Sequence, residues 1–182
     1  MSKLPTIRLL GVDPSSTRTG CVIMSSPTEI EDATICRPCD AKASPFERAM
    51  SMATDVRAII WNKQITHVVI ETPALHAHGH VLPRARGHGL AIYGMAVGVI
   101  LYAIGAAIDW QNMTALPADE WVAPRTSKAR RQALIAAEFP AYRTIMDAGK
   151  DPGRDISDAI GLCVWWRGQR QKEQALREVQ DE

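Results

Sequence analysis

Residues 89–108, GLAIYGMAVGVILYAIGAAI, run for 20 positions without a charge. That length lets a helix cross the hydrocarbon of a bilayer, and it equally describes a helix covered all round inside a folded domain. The run contains Gly89, Gly94, Gly98 and Gly105 with Tyr93 and Tyr102, and the 182 residues hold no second such stretch. Asp109-Trp110-Gln111 follows at once and leads into a strand-like run. We therefore expect a central helix of a soluble domain, covered by a sheet on one side and a partner on the other, and no membrane span. Gly94 and Gly98 have the spacing that lets another backbone approach closely, in water as in lipid.

The rest of the pattern predicts short strands and further helices. An apolar run over about residues 7–13, then GCVIMS and EDATIC, separated by turns near 15–19 and 26–28, reads as an antiparallel meander. Ser44-Pro45-Phe46-Glu47 opens a helix to about Lys63, with Ser as N-cap and Pro in the first turn. THVVIE is a fourth strand, a polar loop over about 72–83 leads into the apolar helix, and WQNMTAL is a fifth strand ended by Pro117. Helices are expected over 118–122, 127–138 and from Asp155 to about Gln180, with 140–154 as a connector. One domain, 1–182, is expected; a chain of this length buries roughly 70% of its unfolded surface.

Two of the strands end in acids. IRLLGVD closes on Asp13 before the turn PSSTRTG, and THVVIE closes on Glu71 before Thr72-Pro73. An acid at the end of a buried strand is costly unless something cationic meets it. Asp155 and Asp158, three apart in the last helix, share one face. Four carboxylates from distant segments point to divalent ions, most simply a Mg²⁺ pair acting on a phosphodiester. The plainer role for Asp155 is to cap its helix.

Overall charge identifies no polyanionic partner, since 21 Lys+Arg face 20 Asp+Glu. Distribution says more. Arg125, Lys128, Arg130 and Arg131 fall together with no acid among them, Arg84, Arg86 and His88 form a smaller group, and the later Arg154, Arg167, Arg170 and Lys172 read as a solvated face. Residues 1–7 do not resemble a signal peptide, and cysteine use suits a reducing compartment. Cys21 and Cys163 read as buried thiols; Cys36 and Cys39 have CxxC spacing without a second pair, so zinc or redox chemistry is the minor reading.

The element order, with acids after strands 1 and 4 and on the last helix, resembles the ribonuclease H-like nucleases, and more narrowly the RuvC family of Holliday-junction resolvases. LLGVDPSSTRTGCVI (9–23) is similar to that family's opening G-[IV]-D-P-G-x-x-x-x-G. HVVIE (67–71) resembles its strand ending in a catalytic glutamate, and DISDAIGLCVWW (155–166) its D-x-x-D-A-[IL]-A-x-[AC] helix. ARGHGLAIYGMA (85–96) and TSKARRQALI (126–135) resemble a helix start and a basic helix of the family. Ser15 stands where the family has glycine, and Ala74 where it often has an aromatic residue that contacts a base.

The resemblance implies an α/β fold: a ribonuclease H-like mixed five-stranded sheet, antiparallel meander plus parallel strands, flanked by helices. It implies a metal-dependent endonuclease resolving four-way DNA junctions by paired symmetric nicks in the cytoplasm of a bacterial or phage-infected cell. Two Mg²⁺ (or Mn²⁺) per site are then expected, with Asp13 shared, Glu71 and Asp158 on one ion each, and Asp155 holding a ligand water or coordinating directly. Lys128, with Arg130 or Arg131, would neutralise a phosphate. Arg84, Arg86, His76, His78 and Arg125 complete the expected DNA contacts; zinc is the other reading of His76, His78 and His80. A homodimer is expected, partly through helix 89–108. Two rival readings are a catalytically silent branched-DNA-binding protein and a fragment of an actin-like ATPase, which GVDPSSTRTG also resembles; the latter fold needs two such domains.

Overall fold

The computed structural model describes residues 7–73, 84–122 and 126–180, with 84–88 and 180 described for backbone only. Five strands form one sheet: β1 (Leu9–Pro14), β2 (Thr19–Met24), β3 (Ile30–Cys36), β4 (His67–Thr72) and β5 (Met113–Pro117), in the order β3-β2-β1-β4-β5. β1 pairs antiparallel with β2, and β2 with β3; β4 runs parallel to both β1 and β5. The helices are α1 (Pro45–Asn62), α2 (Arg84–Gly105), α3 (Ala118–Trp121), α4 (Lys128–Glu138), α5 (Pro140–Asp147) and α6 (Asp155–Gln180). The expected mixed five-stranded sheet flanked by helices is the one observed.

The two-residue period of the strands sorts the core into two layers. Leu10, Val12, Val68 and Ile70 face α1 and α2, packing with Val56, Ile60, Ile100 and Ile104. Leu9, Val22, Met24, Val69 and Leu116 face the other way, packing with Ile156, Ala159, Ile160 and Cys163 of α6. Continuing that alternation, Asp13 and Glu71 belong to the α6 face. α1 starts where expected: Ser44 accepts from the Glu47 N–H, and Glu47 Oε2 accepts from the Ser44 N–H at 2.9 Å.

Three expectations change. The connector 140–154 contains α5, because Pro140 suits a first helical position and Tyr142, Ile145 and Met146 fall on one face against the core. β5 begins at Met113, since Trp110–Asn112 form a 3₁₀ turn. The apolar helix spans Arg84–Gly105 where 89–108 was expected, and the described residues cover it on one side only. Ala96, Val97, Ile100 and Ile104 are buried, whereas Tyr102 is 78% exposed, and a Cβ at Gly94 or Gly98 would meet nothing within 4 Å. Among the described residues no helix is long and apolar enough to cross a membrane. The CxxC pair is divided: Cys36 is buried with its Sγ 3.8 Å from that of Cys21, while Cys39 is exposed beside Ser51.

Asp151, not Asp155, caps α6. Its buried carboxylate accepts from the N–H groups of Ile156 and Ser157, each at 3.1 Å, and from the Tyr142 hydroxyl at 2.7 Å. Replacing it by Ala should cost about 1–2 kcal/mol, the range of a lost cap with a buried donor left unmet. In a thermal melt that is a fall of roughly 2–8 °C for a chain of this size. An unchanged melting temperature would show that the cap contributes nothing.

Candidate active site

Register brings the two strand acids together. Val12 of β1 lies beside Ile70 of β4, so the next pair along the parallel strands is Asp13 and Glu71. Neighbouring strands are about 4.8 Å apart, and both side chains point to the same face. α6 crosses that face at close range because β1 and β2 carry glycine beneath it. A Cβ at Gly11 would strike the Ala159 carbonyl, and one at Gly20 would strike the Asp155 carbonyl. The first turn of α6 thus lies over the ends of β1 and β2 with Asp155 and Asp158, both almost fully buried.

These acids have unequal surroundings. Asp158 is held by Lys128 Nζ at 2.7 Å and by Arg131, whose Nη2 and Nε donate to Oδ1 at 3.1 and 3.2 Å. Arg131 also donates to the Thr126 carbonyl at 3.0 Å, and its guanidinium lies 5.4 Å from the Trp121 ring centroid. Asp155 forms an ion pair with Arg18 that lacks hydrogen-bond alignment. Glu71 accepts from Trp121 Nε1 at 3.0 Å and from the Tyr93 hydroxyl at 3.4 Å. Asp13 is 5% exposed, and no hydrogen bond or ion pair from the described residues reaches its carboxylate.

Protonation follows these differences. Burial, then the neighbouring Glu71 charge, push the Asp13 carboxyl well above its usual range, with Lys128 opposing. Burial and Asp158 raise Glu71 against the hydrogen bond from Trp121. Asp155 is raised by burial while Arg18 pulls it down. Burial alone would lower the Lys128 ammonium, but its bond to Asp158 and the charges of Asp13 and Asp155 outweigh this and hold it above its usual value.

A pH dependence follows for the metal-free protein. A carboxyl raised on folding adds stability below its unfolded pKa of about 4, and that contribution is lost as pH rises through the folded value. Asp13→Asn cannot ionise there, so its melting temperature should gain on wild type between acid and neutral pH in chelator. Mg²⁺ should narrow the gap by stabilising wild type alone. A gap independent of pH would contradict the raised carboxyl.

The remaining expected site residues have unlike settings. Arg130 is exposed on α4, free to face a ligand. Arg131, expected on phosphate, is instead turned inward to Asp158 and only 16% exposed. Arg84 and Arg86 lie in the first turn of α2, described for backbone only, while His76, His78 and Arg125 lie outside the described residues. Sequence reasoning did not place Arg18, Tyr93 or Trp121 at the site. Trp121 carries no local signal; it fits against α6 because Gly161 leaves room for its ring.

Whether these groups suit a hard divalent ion depends on which are free. The donors are all carboxylate oxygens, the chemistry Mg²⁺ prefers, and the buried Asp13 beside Glu71, without a partner among the described residues, fits one ion. The full set does not close up: among the described residues no group of three or more His, Cys, Asp or Glu side chains is placed to hold a metal. Asp155 and Asp158 are engaged by cations of the chain itself.

No family model and no curated protein matches this sequence. Solved structures do match. RuvC of Thermus thermophilus in complex with a Holliday junction substrate aligns with TM-score 0.60 at 13% identity, over 87% of this chain and 92% of that one. The chain has the RuvC fold. RuvC of T. thermophilus in a second structure aligns at TM-score 0.57 and 12% identity over the same shares. Ydc2, the yeast mitochondrial Holliday junction resolvase, aligns at TM-score 0.59 and 13% identity, over 96% of this chain and 85% of that one. The likeness to RuvC and Ydc2 is therefore one of fold across nearly the whole chain.

Proposed function

We propose that this chain is a divalent-metal-dependent, structure-selective endonuclease that cuts branched DNA, four-way junctions above all. The observation that carries the reading is Asp13 beside Glu71 at the ends of two parallel strands, with Asp13 buried, no hydrogen bond or ion pair to it from the described residues, and Lys128 alongside. A neutral or purely structural role gives no reason to keep such a carboxylate in place.

A bound Mg²⁺ would lower the pKa of an attacking water and offset charge on the phosphate and the leaving 3′ oxygen. Asp13 and Glu71 would hold it. Trp121 and Tyr93 fix both oxygens of Glu71, so its orientation is set before substrate arrives. Lys128 is half exposed and can turn from Asp158 towards a phosphate without leaving Asp158 unpaired, because Arg131 stays. The exposed Arg130, with Arg84, Arg86, Arg125, His76 and His78, would extend the DNA face. The reducing cytoplasm of a bacterial or phage-infected cell is the setting this reading assigns.

The second reading, a junction-binding protein that does not cut, is favoured by the ion pairs on Asp155 and Asp158. One assay separates the two: labelled four-way junction, flap, linear duplex and RNA:DNA hybrid incubated with the purified protein in Mg²⁺ or Mn²⁺. Cleavage of the junction supports the nuclease. Tight junction binding with no product in either metal would establish the silent reading.

A four-way junction has near two-fold symmetry, so paired nicks need two sites related by the same symmetry. We assign the side of α2 that the described residues leave uncovered, with Gly94, Gly98 and Tyr102, as the surface joining two copies. Gly98→Leu should weaken that dimer by about 1–3 kcal/mol through overpacking. Paired nicking should fall more than single nicking. A monomer by light scattering at micromolar concentration that still nicks symmetrically would rule the assignment out.

A further inference from the structure

Four carboxylates suggested two ions, yet the chain has placed its own cations on two of them. Asp158 is 2% exposed at its side chain, and Arg131 meets it with two N–H groups. Arg131 is itself fixed by three independent contacts: Asp158, the Thr126 carbonyl and the Trp121 ring. A guanidinium stays charged at any working pH and is planar, so a group held this way is a permanent charge. Lys128, on the other Asp158 oxygen, is half exposed and can depart; Arg131 cannot leave without breaking all three contacts. Asp155 has a cation of its own in Arg18, through an ion pair without hydrogen-bond alignment. That leaves Asp13 and Glu71. Two carboxylates, with waters and a substrate phosphate filling the other positions, are the usual protein share of one Mg²⁺ site.

We infer that this site takes one divalent ion, held by Asp13 and Glu71, and that Arg131 supplies at Asp158 the fixed positive charge a second ion would bring. The inference rests on the nuclease reading above and makes Asp158 a positioning residue, acting through Arg131 and Lys128. The division of labour has a physical basis. A second ion next to Asp158 would have to displace a desolvated, bonded guanidinium from Oδ1 or add to Lys128 and Arg131 a third cation on one buried acid.

Mn²⁺ titration of the full chain bound to a four-way junction tests this by stoichiometry, with electron paramagnetic resonance of the same frozen complex. The expected result is one Mn²⁺ per chain, with the hyperfine pattern of an isolated ion. Asp13→Asn and Glu71→Gln should weaken its binding by about 100-fold, the upper end of what loss of even supporting contacts costs a metal site. Asp158→Asn should keep that single ion, and Arg131→Gln should admit a second. Two ions per chain in wild type, an exchange-coupled pair, or loss of the ion in Asp158→Asn would each overturn the inference while leaving the nuclease reading intact. No Mn²⁺ bound, together with junction bound but uncut, would overturn both. Should Arg131→Gln fail to fold, the wild-type spectrum and the Asp158→Asn stoichiometry still decide.

Discussion

Asp13→Asn and Glu71→Gln should each lower Mg²⁺-dependent junction cleavage by about a thousandfold or more, with junction binding kept within a few-fold. The size follows from what the carboxylates would do. An amide of the same shape is a poor ligand for a hard cation, so the ion that activates water and offsets phosphate charge is lost or misplaced. Losing about 4 kcal/mol of transition-state stabilisation is close to a thousandfold in rate. Binding survives because DNA affinity comes mainly from cations on phosphates, and neither substitution removes one. The fold survives for a reason specific to Asp13: no hydrogen bond or ion pair from the described residues depends on its charge. Glu71→Gln keeps an oxygen for either Trp121 or Tyr93 but leaves the other facing an NH₂ group, so some loss of order at β4 is expected with it. Gel assays of cleavage and equilibrium binding on the same labelled junction give both numbers. Either variant cutting at near wild-type rate would remove that residue from the site.

The parts of this arrangement legible in the sequence are those set by local pattern. Alternation along IRLLGVD and THVVIE fixed both the strands and the common side of Asp13 and Glu71, because a period of two leaves no other register once Leu9 and Val69 are buried together. The capping box at Ser44 was equally local. What escaped were contacts between distant segments. Trp121 lies 50 residues from Glu71, and Arg131 lies 27 residues from Asp158. A basic run on a helix reads as a solvated or DNA-facing stripe, and nothing in ARRQ tells which guanidinium turns inward. Capping is only the alternative role for Asp155, which stands at the helix start, and it is Asp151 that reaches the free N–H groups from the preceding loop. There Arg154 has a positive φ of 65°, a conformation few non-glycine residues adopt and one that no sequence pattern announces. α5 lies in the stretch 140–154 expected as a connector, where Pro140 is a first-turn residue.

The second large effect is expected at two glycines that hold no catalytic group. Gly11 and Gly20 lie on the β-strand face beneath α6. A Cβ at Gly20 would fall 3.0 Å from the Asp155 Cβ and closer still to its carbonyl; one at Gly11 would fall 2.6 Å from Cys163 Sγ and closer still to the Ala159 carbonyl. The obstruction in each case is helix backbone, which cannot rotate aside as a side chain can. Gly20→Ala must therefore lift the first turn of α6, and with it Asp155 and Asp158, away from Asp13. Overpacking of this kind costs about 1–3 kcal/mol, occasionally more. For a chain of this size that lowers the melting temperature by roughly 2–12 °C. Cleavage measured well below the transition should fall as well, since a displacement near 1 Å at a reacting centre can cost about a hundredfold. Gly168→Ala is the matched control. It lies within α6, a Cβ there meets nothing within 4 Å, and replacing a mid-helix glycine should add roughly 0.5–1 kcal/mol. If Gly20→Ala melts and cuts like wild type, close approach of α6 is not what assembles the acids, and their placement must come from the ion pairs to Arg18, Lys128 and Arg131 instead.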